Sequence, residues 1–391
     1  MKERSGSIGP VPPRVGPFRE GAFESPVHST RVAAVLGIAL GVTFTLCFAT
    51  GIVSYLIQHP PSWFTWPARP AWGYRVSQGI HVTTGIASIP LLFAKLWTVY
   101  PHLWTFPPLR SAAHVVERMS LVPLVGGSLF LVFTGVGSIS RWFPWTFSFP
   151  VAHRAASWIT VGALVIHVAA KLPTVRDVLA GRTVDPPEAR NADRLSRRGF
   201  LTATFAAAGA FVLTTVGQTV RPLAPLALLA PRDPRVGPQG IPINKTAESA
   251  GVVELAQDAG FRLEVRGNVA TPLSLTLDEL RALPQREAVL AIACVDGWSA
   301  SGSWRGVPLR ELVAMAGAPA GADARVASIQ PQGPYRAAVV SAAHLEDPDT
   351  LLALDLNGEP LALDHGSPVR LIGPNRPGVM QTKWVGTVEV L

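Results

Sequence analysis

The sequence predicts a membrane α-helical bundle of about five spans followed by an α+β domain. Two observations carry this. Long uncharged apolar stretches fill the first 221 residues, and short strand- and helix-length patterns fill the remainder. Charge is a third. Only 15% of the 391 residues are charged, against roughly 25% in an average soluble domain, and mean hydropathy is +0.29. A wholly soluble chain and a disordered one are both excluded. The net charge of +8 is unevenly divided. Residues 1–221 hold 20 basic and 8 acidic side chains, net +12, and residues 222–391 hold 14 and 18, net −4. The basic excess lies in the apolar half, so it reads as a topology signal, and no nucleic-acid partner is expected. Two cysteines, Cys47 and Cys294, are too few for a disulfide framework.

Residues 1–30 form a basic N-terminal segment, with Lys2, Arg4, Arg14 and Arg19. The uncharged stretches are 32–57, 76–94, 119–140, 155–170 and 199–220, close to the roughly 20 residues a bilayer crossing needs. The fourth is short but extends past Arg154 and Lys171, whose long side chains can snorkel. Residues 31–171 thus read as a four-helix membrane domain, 172–198 as a basic link, and 199–221 as a fifth span. The link carries Arg176, Arg182, Arg190, Arg194, Arg197 and Arg198. Positive residues mark the cytoplasmic side, so the N-terminus and this link are expected inside and the C-terminal half outside. Trp63, Trp66, Trp72 and Tyr74 in one outer link read as an interfacial aromatic belt. Trp142, Phe143, Trp145, Phe147 and Phe149 read the same way in the other. Ser196, Arg197, Arg198, Gly199, Phe200 and Leu201 resemble the twin-arginine export signal, set inside the chain. The same residues also read as an ordinary basic flank.

Histidines in the spans are the first chemical signal. His81 lies in the second span, His153 and His167 in the fourth, and His114 just before the third. Imidazoles are costly in lipid and face a partner or a cofactor, and haem b is held by neutral imidazoles from two helices. His153 and His167 are 14 residues apart, about 21 Å along one helix face. That spacing suits two stacked haems and resembles four-helix cytochromes b. By depth, His81 pairs with His153 on the outer side and His167 with His114 on the inner side. The residue 14 after His81 is Lys95, not histidine, so the outer haem is the better supported of one or two. Polar contacts between helices remain the alternative for all four. Small residues such as Gly126, Gly127, Gly135 and Gly162 suit a closely packed bundle.

Residues 222–240 are rich in proline, leucine and alanine and read as a linker. From 241 the pattern changes. Residues 261–265 alternate as a strand does, with a turn at Gly267 and Asn268. Thr276 is placed to cap a short helix over 275–283, and 307–315 reads as another. Strands are expected over 289–294, 325–330, 336–340, 369–372 and 387–391. Interleaving without a regular crossover repeat favours α+β over a doubly wound sheet. No phosphate-loop or dinucleotide fingerprint precedes a helix. Cys294, at a strand end, would alone read as a small hydrophobe.

Cys294, Asp296, Gly297, Trp298 and Ser299, then Trp304, Arg305, Gly306, Val307 and Pro308, resemble the molybdopterin domain of the sulfite oxidase family. So do Asn357, Gly358 and Glu359, then His365, Gly366, Ser367, Pro368 and Arg370, then Lys383 and Trp384, all in family order. The resemblance implies a sulfite-oxidase-like molybdopterin domain over 241–391, with molybdenum held by the Cys294 thiolate and by molybdopterin. It also implies His365, Arg370 and Lys383 around the pterin and its phosphate. Asn357 and Tyr335 resemble pocket-lining positions more weakly, and Arg336 is a candidate for substrate charge. No counterpart of the family's dimerisation domain is expected after Lys383 and Trp384, and no clear arginine-rich sulfite pocket is visible.

The expected protein is a multi-pass, membrane-lipid-embedded oxidoreductase of a bacterial cytoplasmic membrane, its C-terminal domain on the outer face. It would transfer an oxygen atom to or from a small or sulfur-containing substrate. Electrons would be exchanged through haem b with the quinone pool or another carrier. Two rivals stand beside it: a haem b electron-transfer protein whose pterin-binding domain is not catalytic, and a membrane sensor.

Overall fold

The computed structural model describes residues 15–19, 23, 25–104, 106, 112–183 and 196–391; the side chains at 112–114 and 117 lie outside that description. His114 therefore falls outside it, as do Lys2, Arg4 and Arg14 of the N-terminal segment and Arg190 and Arg194 of the link.

Five helices are long and apolar enough to cross a membrane. They are α1 (Thr30–Gln58), α2 (Gly73–Val99), α3 (Ala112–Ser140), α4 (Phe149–Leu179) and α5 (Arg197–Thr215). Each runs past the uncharged stretch that predicts it at one or both ends, because flanking polar residues continue the helix beyond the apolar window. Ser196 caps α5, its Oγ accepting from Gly199 N at 3.1 Å.

The chain divides into two compact units, 1–48 with 83–214, and 49–82 with 215–391. In the first, Val32, Leu36 and Leu40 of α1 pack with Leu91 and Leu92 of α2 and Ala208 of α5. Helices α3 and α4 approach closely because Gly127 lies against Thr160 and Gly137 against Phe149, leaving no room for a Cβ. The expected belt residues Trp142, Trp145 and Phe149 gather round Phe133. Val42, Trp158, Ile159, Val165 and Ile166 stay exposed, as lipid-facing side chains do.

The second unit holds two sheets. After the short helices α6 (Ala247–Ala250) and α7 (Val253–Ala256) come β1 (Arg262–Gly267), β2 (Leu273–Thr276), α8 (Leu277–Ala282), β3 (Arg286–Ala293) and β4 (Ser299–Pro308). Then follow α9 (Leu309–Met315), β5 (Ala324–Ser328), β6 (Ala337–Val340), α10 (Ala342–Leu345), β7 (Leu351–Leu356), β8 (Glu359–Pro360), β9 (Arg370–Ile372) and β10 (Val385–Val390). One sheet has the order β2-β1-β10-β5-β6, with only β1 and β10 parallel. The other runs β3-β4-β7-β8, with β9 also paired to β7. This is the α+β architecture expected. The α8 cap forms as predicted: Thr276 Oγ1 accepts from Glu279 N at 3.2 Å, and the Glu279 carboxylate accepts from Thr276 N at 2.7 Å.

The first sheet packs through Leu263, Val265, Val326 and Val388 on Leu280, Leu309 and Leu312 of the helices. Two sequence expectations shift. Val307 and Pro308 complete β4, paired with Leu352 and Leu351, so α9 begins only at Leu309. Trp66 and Tyr74 do not form a free interfacial belt. Trp66 Nε1 donates to Asn375 O at 2.9 Å, and Tyr74 is buried, its N–H donating to Asn375 Oδ1 at 2.5 Å. Arg69 reinforces this attachment with two bonds to Asp347, at 2.7 and 3.0 Å, and one to Asp349.

Candidate active site

Cys294 follows the last residue of β3, where the chain reverses into β4. Its N–H donates to Trp298 O at 2.8 Å, and Gly297 N–H donates to Cys294 O at 3.0 Å. Gly297 supplies the left-handed φ of 82° that this tight reversal needs. The thiol is buried yet surrounded by donors. Asn244 Nδ2 lies 3.0 Å from Sγ and 2.8 Å from Asp296 Oδ2, and Asp296 N–H reaches Sγ at 3.4 Å. Asn244 is itself oriented by Trp298 Nε1 at 3.2 Å and by Arg232, whose guanidinium stacks 5.8 Å from the Trp298 ring centre. Burial first, and the Asp296 charge second, push the Cys294 thiol up to about 12. The thiol is protonated at neutral pH until a cation replaces its proton, and the surrounding N–H groups then favour the thiolate.

A basic cradle adjoins it. Gly366 takes a φ of 113°, and a Cβ there would meet the Lys383 backbone at 3.0 Å. Arg370 at the start of β9 is buried, donates Nη1 to His365 O at 2.8 Å and lies over Trp304. Lys383 Nζ donates to Asp364 O at 2.6 Å and to Lys245 O at 2.8 Å. His365 Nε2 is 2.7 Å from Pro238 O. Among the described residues, His365 Nδ1 and Arg370 Nε have no hydrogen-bond partner. Burial pushes Arg370 down to about 9. Burial, then the Arg370 charge, holds Lys383 well below the usual lysine range, partly offset by Asp364 and Cys294.

The remaining candidates are placed differently. Tyr335 has a left-handed backbone, and its hydroxyl is raised by burial and then by the charges of Asp296 and Cys294. Arg336 is exposed and donates to Pro331 O at 2.8 Å. Asn357 spends its amide on the turn after β7, accepting from Ser303 N at 2.9 Å and donating to Gln239 O at 2.8 Å. These bonds support the turn.

The bundle histidines share one pattern. His81 Nδ1 lies 3.3 Å from Thr50 Oγ1 and His153 Nδ1 2.8 Å from Thr134 Oγ1, each hydroxyl on a neighbouring helix. With the proton on Nδ1, Nε2 would carry the lone pair a metal takes; with the opposite tautomer the hydroxyl donates to Nδ1. Gly51 and Gly135 face the Cε1 edges of these two rings. His167 is half-buried on α4.

Residues 250–391 match the family described as the oxidoreductase molybdopterin binding domain. The chain carries a molybdopterin-binding oxidoreductase domain. Among similar proteins, a putative protein-methionine-sulfoxide reductase subunit YedZ1 of Azospira oryzae is 38% identical over 34% of this chain and 49% of its own. Mouse mitochondrial sulfite oxidase is 31% identical over 33% of this chain and 29% of its own. The solved sulfane dehydrogenase SoxCD of Paracoccus pantotrophus aligns over 34% of this chain and 38% of that one, at 26% identity and a TM-score of 0.32. The chain thus spans half or less of the length of these relatives.

The molybdopterin-binding domain fits its cofactor on its own chemistry. A buried arginine lowered by burial, and a buried lysine lowered by burial and then by that arginine's charge, with polar atoms left unpartnered among the described residues, form a site that an anionic pterin phosphate would complete. Adjacent residues link the sulfur to that cradle: Asn244 Nδ2 lies 3.0 Å from Cys294 Sγ, and the carbonyl of the next residue, Lys245, accepts from Lys383 Nζ at 2.8 Å. Asn244 and Arg232 escape sequence reasoning, because both precede the matched segment in a stretch that reads as linker and domain edge.

The domain's histidines also set a pH dependence. Burial, ahead of the Arg370 charge for His365 and the Arg376 charge for His344, holds each down to about 4 from the usual 6.5. Both stay neutral when folded but gain a proton when unfolded. Their stabilisation is complete above 6.5 and is lost as pH falls toward 4, by up to about 3 kcal/mol each. Thermal unfolding of the cofactor-free chain in detergent should therefore fall steeply across that window. His344→Gln should flatten part of the fall, and an identical profile for that variant would contradict the assignment.

Proposed function

We propose that the protein is a membrane-anchored, molybdenum-dependent oxygen-atom-transfer enzyme acting on a small or sulfur-containing substrate and exchanging electrons through haem b with quinone or another carrier. The observation that carries this reading is the buried Cys294 thiol, contacted by N–H donors, near the buried basic side chains Arg370 and Lys383. Cys294 would hold the molybdenum and Arg370 and Lys383 the pterin phosphate, while the neutral His365, whose Nε2–H donates to Pro238 O, would accept at Nδ1 from an N–H of the pterin. When bound, the cofactor supplies the two-electron oxygen-atom chemistry. The chain's own residues do the rest. Asn244 and the Asp296 N–H stabilise negative charge on Sγ. Tyr335, kept protonated, offers a hydroxyl donor toward bound substrate. The exposed Arg336 attracts an anionic one at longer range. His365 keeps its Nδ1 for the pterin because Pro238 O occupies Nε2.

His81 and His153 are the proposed outer haem ligands, with His167 and His114 for a second haem. Small residues opposite both outer rings and hydroxyls on both Nδ1 atoms support the first pair. The purified chain should show a reduced-minus-oxidised b-type α band, and His81→Ala and His153→Ala should each remove most of it. A chain with no such band contradicts the haem reading. Full haem retention in both variants contradicts this pair. The basic residues of the N-terminal segment and link support a cytoplasmic location for both, with the C-terminal domain on the outer face of a bacterial cytoplasmic membrane. Arg197 and Arg198 would serve a twin-arginine-type export step. A reporter fused after Leu391 should be active outside the cytoplasm; cytoplasmic activity would reverse the topology.

A further inference from the structure

We propose that Gln78 is the positioning residue that couples the Cys294 loop to the membrane helix bearing His81, giving electrons a bonded route between thiolate and imidazole. This rests on the reading of His81 as a haem ligand. Gln78 Nε2 donates to Val295 O, the carbonyl of the residue after Cys294, at 3.2 Å. Gln78 is buried at 6% exposure on α2, and His81 lies three residues on. Side chains at that spacing share a helix face, with Cβ atoms about 5–6 Å apart.

A glutamine buried in an apolar span is costly unless its amide is bonded, and here the bond goes to the loop of the proposed metal ligand. The route is continuous, with a single hydrogen bond in it. It runs from Cys294 Sγ along the backbone to the Val295 carbonyl, across one hydrogen bond to Gln78, and along one helical turn to His81. Tunnelling decays less steeply through such a bonded chain than through a gap. One electron crosses at a time: the molybdenum side is oxidised by one as ferric haem iron is reduced by one, or the reverse. No bond is made or broken, and no proton crosses.

The loop also has a second anchor that offers no such route. Gln218 Nε2 donates to Gly297 O at 3.1 Å, and Thr219 Oγ1 donates to the same carbonyl. Gln218 is buried like Gln78, also accepts from Arg232 N–H at 3.1 Å, and stands on the turn Val216–Gln218, not on a helix carrying a candidate haem ligand. It separates support of the loop from electron transfer.

The test uses the full-length holoprotein, with molybdenum and haem content measured first. A flash-reduced flavin delivers one electron to the haem, and haem absorbance then relaxes as that electron equilibrates with molybdenum; the relaxation rate is the sum of both directions. Gln78→Met, which keeps the bulk but loses the donor, should slow it severalfold. Haem spectrum and molybdenum content should not change. Gln218→Met should relax near the wild-type rate. An unchanged rate in Gln78→Met, or equal slowing in both variants, overturns the proposal. Should Gln78→Met lose a cofactor, Gln78→Glu, with an acceptor facing Val295 O, is read against the same outcomes. Absence of a b-type spectrum in the wild type overturns the haem reading and this one with it, and so differs from a normal spectrum with an unchanged rate.

Discussion

Cys294→Ser should reduce the molybdenum content of the purified chain to background and abolish oxygen-atom transfer, while the b-type haem spectrum stays intact. A serine hydroxyl fills nearly the same space and can still accept from Asn244, so the 294–298 reversal should persist. What it lacks is a soft, ionisable sulfur. In the free protein the thiol stands near 12, so metal binding must displace its proton. Loading should therefore release a proton at neutral pH and become easier as pH rises. Asp296→Asn removes the second-largest contribution to that raised value and should ease loading further. Loss of molybdenum and haem together in Cys294→Ser would instead mean misfolding. Retention of molybdenum would remove Cys294 from the site.

Arg370→Met should have opposite effects on the empty and the loaded protein. In the cofactor-free chain Arg370 is buried, lowered by burial to about 9, and has an unpartnered Nε. A buried charge without a counter-charge costs desolvation that an apolar side chain of similar volume does not, so its replacement is stabilising. Thermal unfolding of the empty domain should thus rise by several degrees, while pterin retention falls sharply. An arginine kept for packing over Trp304 would give the reverse: a less stable empty protein with unchanged pterin. Lys383→Met should behave like Arg370→Met, since burial lowers both groups and the Arg370 charge lowers Lys383 further.

The helices were legible because uncharged windows near bilayer length have few other uses. Within the C-terminal domain, strands with alternation or branched residues at their core were also legible, such as β1 and β10. The two central strands of the second sheet were not. In β4, Ser299, Ala300, Ser301, Gly302 and Ser303 carry no apolar period, because the strand is held by neighbours on both sides. In β7 all six residues are buried, and a continuous run of leucine and alanine does not distinguish strand from helix.

The site followed the same logic. Cys294, His365, Arg370 and Lys383 stood out through a motif spread along one segment. Asn244, Arg232 and Gln78 did not, since their roles come from contacts made across long stretches of chain. Trp66 and Tyr74 illustrate the converse. An aromatic cluster between two spans suggests an interface with lipid, yet its partner is Asn375, some 300 residues away, and no local pattern announces that.

The most direct test is a metal and pterin analysis of the intact membrane protein, purified from cells that synthesise molybdopterin. The account predicts molybdenum and pterin in near-equal amounts, both bound to the chain. A folded protein with Cys294 reduced and intact, yet carrying neither, would contradict it.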